Sequence, residues 1–219
     1  MSNKPVVGLR EANKAKRRNA VLDAAVDLLD RTDGIPVTTE RIAEAAEVAA
    51  ATVYNLVGTR EQLLMALLDR IVSAVVGEAL DTPSVDDPID VMRKLATGAV
   101  AVLTARPVAY RKVVLELTAT ANPALHTRLS AATAIEVEFR RAQERSLLRG
   151  DLSPRALADQ AYLSFNGALL RWAAGALTDT AFRAAALHGL MTVLAASATP
   201  KTRRLFVDDL RALGAELVP

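Results

Sequence analysis

Few residues in this 219-residue chain could make or break covalent bonds. It has no cysteine, which removes thiol catalysis, thiolate metal sites and disulfides. The two histidines, His126 and His188, fall in different periodic segments. No Gly-rich phosphate loop, H-E-x-x-H zinc helix or G-x-S-x-G elbow occurs. Glu136 and Glu138 sit two apart in a helical segment, so they diverge rather than pair as acid and base. With no nucleophile–base set to name, an enzyme is not expected, nor a metal or cofactor site. The remaining chemistry is recognition. The Asn55 amide can pair bidentately with adenine, and Ala50 and Ala51 can each meet a thymine methyl. Arg10, Lys14, Lys16, Arg17 and Arg18 concentrate positive charge before or at the start of the first helix. Such an arm suits phosphates or a minor groove, and its charge opposes the helix dipole, so helix stability does not explain it.

These groups need elements to hold them, and the periodicity is helical nearly throughout. Pro36, Pro83, Pro88, Pro107, Pro123, Pro154 and Pro200 fall between periodic segments, where proline can end one helix or begin the next. The spacing predicts nine or ten helices and no sheet. The first runs from about Glu11 to Arg31, with Val21, Ala24, Ala25, Leu28 and Leu29 on one face. Two short helices follow, near Thr39–Ala46 and Ala50–Val57, and then a long one from Arg60 to about Leu80, opened by a Thr59/Gln62 capping box. Further helices are expected near Ile89–Ala105, Pro107–Thr120, Pro123–Arg149, Pro154–Leu177, Thr180–Ala198 and Thr202–Gly214, with Asn122, Ser153 and Asp179 as N-caps. In the stretch TTERIAEAAEVAAATVYNLVGTREQLL, from Thr38 to Leu64, the short helices are separated by a brief turn. Ile42, Ala43, Ala46, Val48, Val53, Leu56 and Val57 suit a steeply crossing pair on a first-helix buttress. That is helix-turn-helix geometry, and it leaves the other face of the second helix outward, sized for a DNA major groove.

Over about residues 10–70 the chain resembles the TetR-type one-component regulators. Their pattern runs close to T-x-x-x-I-A-x-x-A-G-V-S-x-x-T-[LV]-Y-x-x-F-x-[ST]-[KR]-E-x-L. Thr38, Ile42, Ala43, Ala46, Val48, Thr52, Val53, Tyr54, Thr59, Arg60, Glu61 and Leu63 match it. The resemblance implies that Thr38 caps the first motif helix and can reach a phosphate. It also implies that Thr52 touches a phosphate or base edge, that the Tyr54 hydroxyl meets a phosphate, and that Arg60 meets the DNA backbone at a helix N-terminus. With Arg17, Ala50, Ala51 and Asn55 these form the expected DNA-binding set. Three departures stand out. Glu47 replaces a turn glycine, at a cost of about 1–2 kcal/mol if the turn is left-handed. Ala49 replaces a capping serine, at a cost of about 1 kcal/mol. Ala50 and Ala51 leave the start of the second motif helix nearly smooth, so that specificity leans on Thr52, Asn55, thymine methyls and DNA shape; Val57 also takes the packing place of a phenylalanine.

The larger C-terminal part holds seven of the eight aromatic residues. Ala158, Tyr162, Phe165, Leu169, Trp172 and Ala176 form one helical stripe, which reads either as core or as the wall of an effector cavity. The cavity reading enlists Tyr110, Leu115, His126, Tyr162, Phe165, Asn166 and Trp172, with Glu116 and Arg171 as further polar candidates. Leu187, Leu190, Met191 and Leu194 stripe another long helix beside small residues. The resemblance implies that the last two long helices pair with those of a second copy. Leu169, Leu187, Leu190, Met191 and Leu194 are then the expected interface, and packing within the chain is the alternative. Arg140, Arg141, Arg145 and Arg149 read as a solvated face at a helix end.

The fold class expected is all-α, with a helix-turn-helix domain over 1–58 and an effector-binding and dimerisation domain over 59–219. The expected function is a ligand-responsive regulator, most simply a repressor. Its partners would be double-stranded operator DNA, a small, largely apolar effector and a second copy of the chain. A helical small-molecule or lipid-binding adaptor with a degenerate motif is the alternative. The net charge of +2 argues against wholesale coating of nucleic acid. The longest apolar run, Ala184 to Ala198, is too short to span a bilayer, and the first residues do not resemble a secretory leader. A cytoplasmic protein without a membrane partner is therefore expected.

Overall fold

The computed structural model describes residues 6–31, 33–81, 87–119 and 130–216. The helices are α1 (Val6–Asp30), α2 (Thr39–Ala45), α3 (Ala50–Val57), α4 (Arg60–Asp81), α5 (Pro88–Ala105), α6 (Pro107–Ala119), α7 (Ser130–Glu144), α8 (Pro154–Ala173), α9 (Asp179–Ser197) and α10 (Arg203–Ala215). Among the described residues there is no strand, only an isolated bridge between Leu148 and Ala198. The fold is all-α.

The chain divides into two compact units. The first holds residues 1–70 and 106–120, the second 71–105 and 121–219. The first is larger than the 1–58 segment expected from the sequence, for two physical reasons. The opening turns of α4 bury Leu63, Leu64, Met65, Ala66 and Leu67. In addition, α6 packs on α1 and is fastened there by polar bonds. Asp30 accepts the Ala109 N–H at 3.2 Å, Arg106 bridges Asp27 and Asp30, and the Lys112 ammonium donates to the Leu29 and Arg31 carbonyls. Each helix thereby satisfies terminal groups of the other.

Within this unit α1 is the buttress for the α2–α3 pair, with Val21, Leu22, Ala25, Ile42, Ala43, Val53 and Val57 buried. Thr38 is the N-cap of α2: its hydroxyl accepts the Arg41 N–H at 3.4 Å. The Thr59/Gln62 capping box forms reciprocally, at 2.8 and 3.3 Å. Ala49 begins α3 without a side-chain cap. Between the short helices Glu47 lies at φ +54°, and the Val48 N–H reaches back to the Ala43 carbonyl at 2.9 Å. This is a left-handed helix stop in which glycine is the unstrained residue. Glu47→Gly is expected to stabilise the protein by about 0.5–1 kcal/mol, because relief of about 1–2 kcal/mol of strain is partly offset by a more flexible unfolded chain. Urea unfolding checks this, and an unchanged or lower midpoint would contradict it.

The second unit packs α5, α7, α8, α9 and α10 around Met92, Phe139, Leu148, Met191, Leu194 and Phe206. Several helix ends differ from those expected. α1 starts at Val6 because nothing between there and Glu11 stops a helix. The described part of the expected Pro123–Arg149 helix is Ser130–Glu144. It ends early because Ser146 turns left-handed (φ +56°), with the Leu147 N–H returning to the Ala142 carbonyl. α8 stops at Ala173 for the same reason, at Gly175 (φ +80°). Ser153 caps α8 as expected, but the cap of α9 is Thr178, whose hydroxyl accepts the Ala181 N–H at 3.1 Å. Asp179 is thereby left to accept the Trp172 indole N–H at 2.7 Å. Asn122 lies outside the described residues.

Candidate nucleic-acid interface

The two faces of α3 differ sharply. Val53 and Val57 are 2% and 7% exposed and set its core side. At about 100° per residue, Asn55 lies two positions from each and points the opposite way. Ala50, Ala51, Tyr54 and Asn55 are exposed and Thr52 is half-buried, so the side expected to read DNA is open. Tyr54 is 62% exposed, unusual for so large a ring.

Two grooves border α3. One, among the starts of α2 and α4 and the core side of α3, is lined by Thr38, Thr39, Gly58, Thr59 and Arg60 among others. Glu40 also lines this groove. Backbone and hydroxyl hydrogen bonds hold its carboxyl below its ordinary pKa. Arg60 is not loose in this groove. It grips both carboxylate oxygens of Glu116 and donates to the Val37 carbonyl at 2.6 Å, and the pairing with Glu116 raises its pKa. Glu116, a candidate effector group on sequence grounds, is thus the partner of Arg60. No sequence signal joined these two residues, because they meet only through the packing of α6. The second groove runs between α1 and α3, lined by Arg10, Asn13, Lys14, Arg17, Thr52, Asn55 and Leu56. The basic residues expected as an arm are therefore set along a helix. An α-helix, about 10–12 Å across with side chains, is wider than a minor groove of about 6 Å, so this helix body does not lie within one.

The expected effector residues are distributed over both units. Tyr110, buried, and Leu115, exposed, lie on α6 in the first unit. Tyr162, Phe165 and Asn166 are half-buried on α8 in the second, with burial pushing the Tyr162 phenol pKa up. Trp172 is fully buried. Its ring stacks on Phe182 with centroids 5.1 Å apart, so it belongs to the core and not to a cavity wall. His126 lies outside the described residues. The expected interface also needs correction. Leu187, Leu190, Met191 and Leu194 are 8%, 6%, 1% and 0% exposed, so the chain's own helices already cover them. Leu169 is half-buried. The side of α9 left less covered carries Ala185, His188, Thr192 and Ala196. Among the arginines read as a solvated helix end, Arg140 pairs with Glu136 as expected, Arg141 with the buried Glu138, and Arg149 with Asp151 beyond the helix.

No family model matches the chain. It is similar to the HTH-type transcriptional regulator AlkX of Mycobacterium tuberculosis, 39% identical over 69 residues, which is 30% of this chain and 33% of that protein. The match thus spans about a third of the relative's length. Among solved structures, the chain is similar to Thermus thermophilus FadR, a TetR-family transcriptional repressor in complex with lauroyl-CoA. The TM-score is 0.65 at 21% identity, covering 81% of this chain and 93% of that one. It is also similar to SmeT, the repressor of a Stenotrophomonas maltophilia multidrug efflux pump. Here the TM-score is 0.63 at 20% identity, covering 84% and 92%. The chain has the fold of the TetR-family regulators.

Proposed function

We propose that this chain, built on the TetR regulator fold, is a homodimeric, ligand-responsive DNA-binding transcriptional regulator that acts as a repressor in the cytoplasm. The observation that carries the reading is the exposed side of α3. Ala51, Tyr54 and Asn55 face outward from a helix whose other side is locked by Val53 and Val57. Ala51 and Asn55 meet base edges, while Thr38, Tyr54 and Arg60 meet phosphates and set the register. Two copies related by a two-fold axis place two recognition helices on half-sites about one DNA turn apart. The less covered side of α9 is the candidate contact between copies. No described helix is long and apolar enough to cross a membrane.

The second unit takes a small, largely apolar effector, with Tyr162, Phe165 and Asn166 as its candidate residues. The similarity to FadR, solved with lauroyl-CoA, supports this assignment. An effector changes DNA binding only if it prefers one disposition of the two recognition helices over the other. The residues of α4 belong to both units, so this helix is one continuous covalent path between effector and DNA.

Selection of bound sequences from random duplex DNA with the purified protein tests the reading. Near-palindromic half-sites are expected; recovery of unselected sequence at every salt concentration would refute it. Tyr54→Phe and Arg60→Ala are each expected to weaken binding to the selected duplex. Arg60→Ala should also lower the slope of log affinity against log salt by about one phosphate equivalent, measured by filter binding, whereas Tyr54→Phe removes no charge and should weaken binding at an unchanged slope. An unchanged slope for Arg60→Ala, or an unchanged affinity for Tyr54→Phe, would remove that residue from the backbone contacts.

A further inference from the structure

Arg60 stands in the groove at the starts of α2 and α4 already neutralised. Glu116 accepts from its Nε and Nη2, the latter at 2.8 Å, and the Val37 carbonyl accepts from Nη1 at 2.6 Å. Three of the five guanidinium N–H groups are thereby committed. Among the described residues lining this groove, Arg60 is the one cation and Glu40 the one carboxylate. With Glu116 added, one positive charge stands against two negative ones. That balance is unfavourable for a surface that must attract a polyanion. Packing puts the second carboxylate there: α6 is fastened to α1 by Arg106, the Ala109 N–H and Lys112, and it carries Glu116 with it. The Arg60 and Glu116 side chains are 43% and 36% exposed, so a phosphate can reach the pair. An ion pair this exposed adds little to stability. Its larger consequence is for what Arg60 can offer a phosphate.

We infer that Glu116 is a specificity-determining residue: it competes with DNA phosphate for Arg60 and yields the guanidinium only to a phosphate that other contacts already hold in register. This rests on the DNA-binding reading above and gives a role to a residue that itself touches no DNA. Loose, sequence-independent complexes form through phosphate charge alone. In them no phosphate is held beside Arg60, the bidentate carboxylate is the better partner, and the pair counts as neutral. In the registered complex Thr38, Tyr54 and the base contacts of α3 fix a phosphate at the groove. Its effective concentration there is high, as for the second site of a bivalent ligand. The guanidinium then exchanges one oxyanion for another, Glu116 is released to water, and one phosphate is neutralised. Non-specific binding thus loses a whole phosphate contact, while specific binding loses only the cost of the exchange.

The test is filter binding of the full-length protein to the selected duplex and to an unrelated duplex of equal length, across a range of salt concentrations. Glu116→Gln keeps an oxygen acceptor beside Arg60 but removes the charge. On the unrelated duplex it is expected to steepen the salt slope by about one and to raise affinity roughly five- to ten-fold at about 0.1 M salt. On the selected duplex the slope should stay unchanged and affinity should rise by less than about five-fold, the strength of an exposed ion pair. In the Arg60→Ala background the same substitution should leave both slopes unchanged, since no guanidinium remains to be freed. Glu40→Gln takes the same charge from the same groove, leaves the Glu116 grip in place and should also leave the slopes unchanged. Equal slope changes for Glu40→Gln and Glu116→Gln, or a change that persists without Arg60, would reduce the effect to local charge and overturn the inference. So would weaker binding of Glu116→Gln to both duplexes in a protein whose thermal unfolding matches the wild type, because the carboxylate would then support Arg60 and not compete for it. If the wild type did not distinguish the two duplexes, the DNA-binding reading itself would fail; if it did and Glu116→Gln matched it on both, the exchange alone would fall.

Discussion

Trp172→Ala is expected to destabilise the second unit by about 3–5 kcal/mol, the range for truncating a large buried aromatic. The ring is fully buried and stacked on Phe182, and Phe182 in turn meets Phe165 with centroids 5.9 Å apart. The indole N–H also donates to Asp179, so the variant loses a charge-assisted hydrogen bond as well as packing. Urea unfolding followed by circular dichroism measures the loss. Trp172→Phe should fall between wild type and alanine, because it keeps most of the stack and loses the hydrogen bond. A Trp172→Ala protein of near-wild-type stability with an altered effector response would return the ring to a ligand cavity.

The second large effect concerns Asn55. Asn55→Ala is expected to relax base preference at one position of each half-site by about 1–3 kcal/mol, roughly five- to 150-fold. On the outermost side of α3 the neighbours of Asn55 are Ala51 and the half-buried Thr52, so Asn55 carries the one amide there, which can donate and accept at once in the bidentate manner adenine requires. The preferred base should be adenine. Repeating the selection with the variant reads the effect directly: one symmetric pair of positions should lose its preference while the others persist. Identical selected sequences would assign the readout to DNA shape and to the alanine contacts with thymine methyls.

Most of the site was legible in the chain because its cues are local. Val53 and Val57 are four apart and define a buried side, so the exposure of Asn55 followed from helical period alone. The Thr38 cap and the Thr59/Gln62 box were legible because each joins residues three apart. Helix ends at left-handed residues were less so. Ser146 carries no compositional mark of a stop, and the stop is set by carbonyls that need satisfying. Asp179 had the residue type of a cap, but Thr178 beside it was equally suited. Only the indole of Trp172 shows why the carboxylate does other work.

The amino-acid order alone settled the all-helical class, the helix-turn-helix wedge and which side of α3 looks outward. These depend on spacing along the chain, which any conformation of the rest must respect. Packing decided what periodicity leaves open. The stripe of Leu187, Leu190, Met191 and Leu194 is apolar whether its partner is a second copy or the same chain, and only the assembled helices show that the chain buries it itself. Likewise a guanidinium at residue 60 has no preference among distant carboxylates until α6 brings Glu116 to it. Local order fixes which face is apolar or charged; the meeting of remote segments chooses what that face touches.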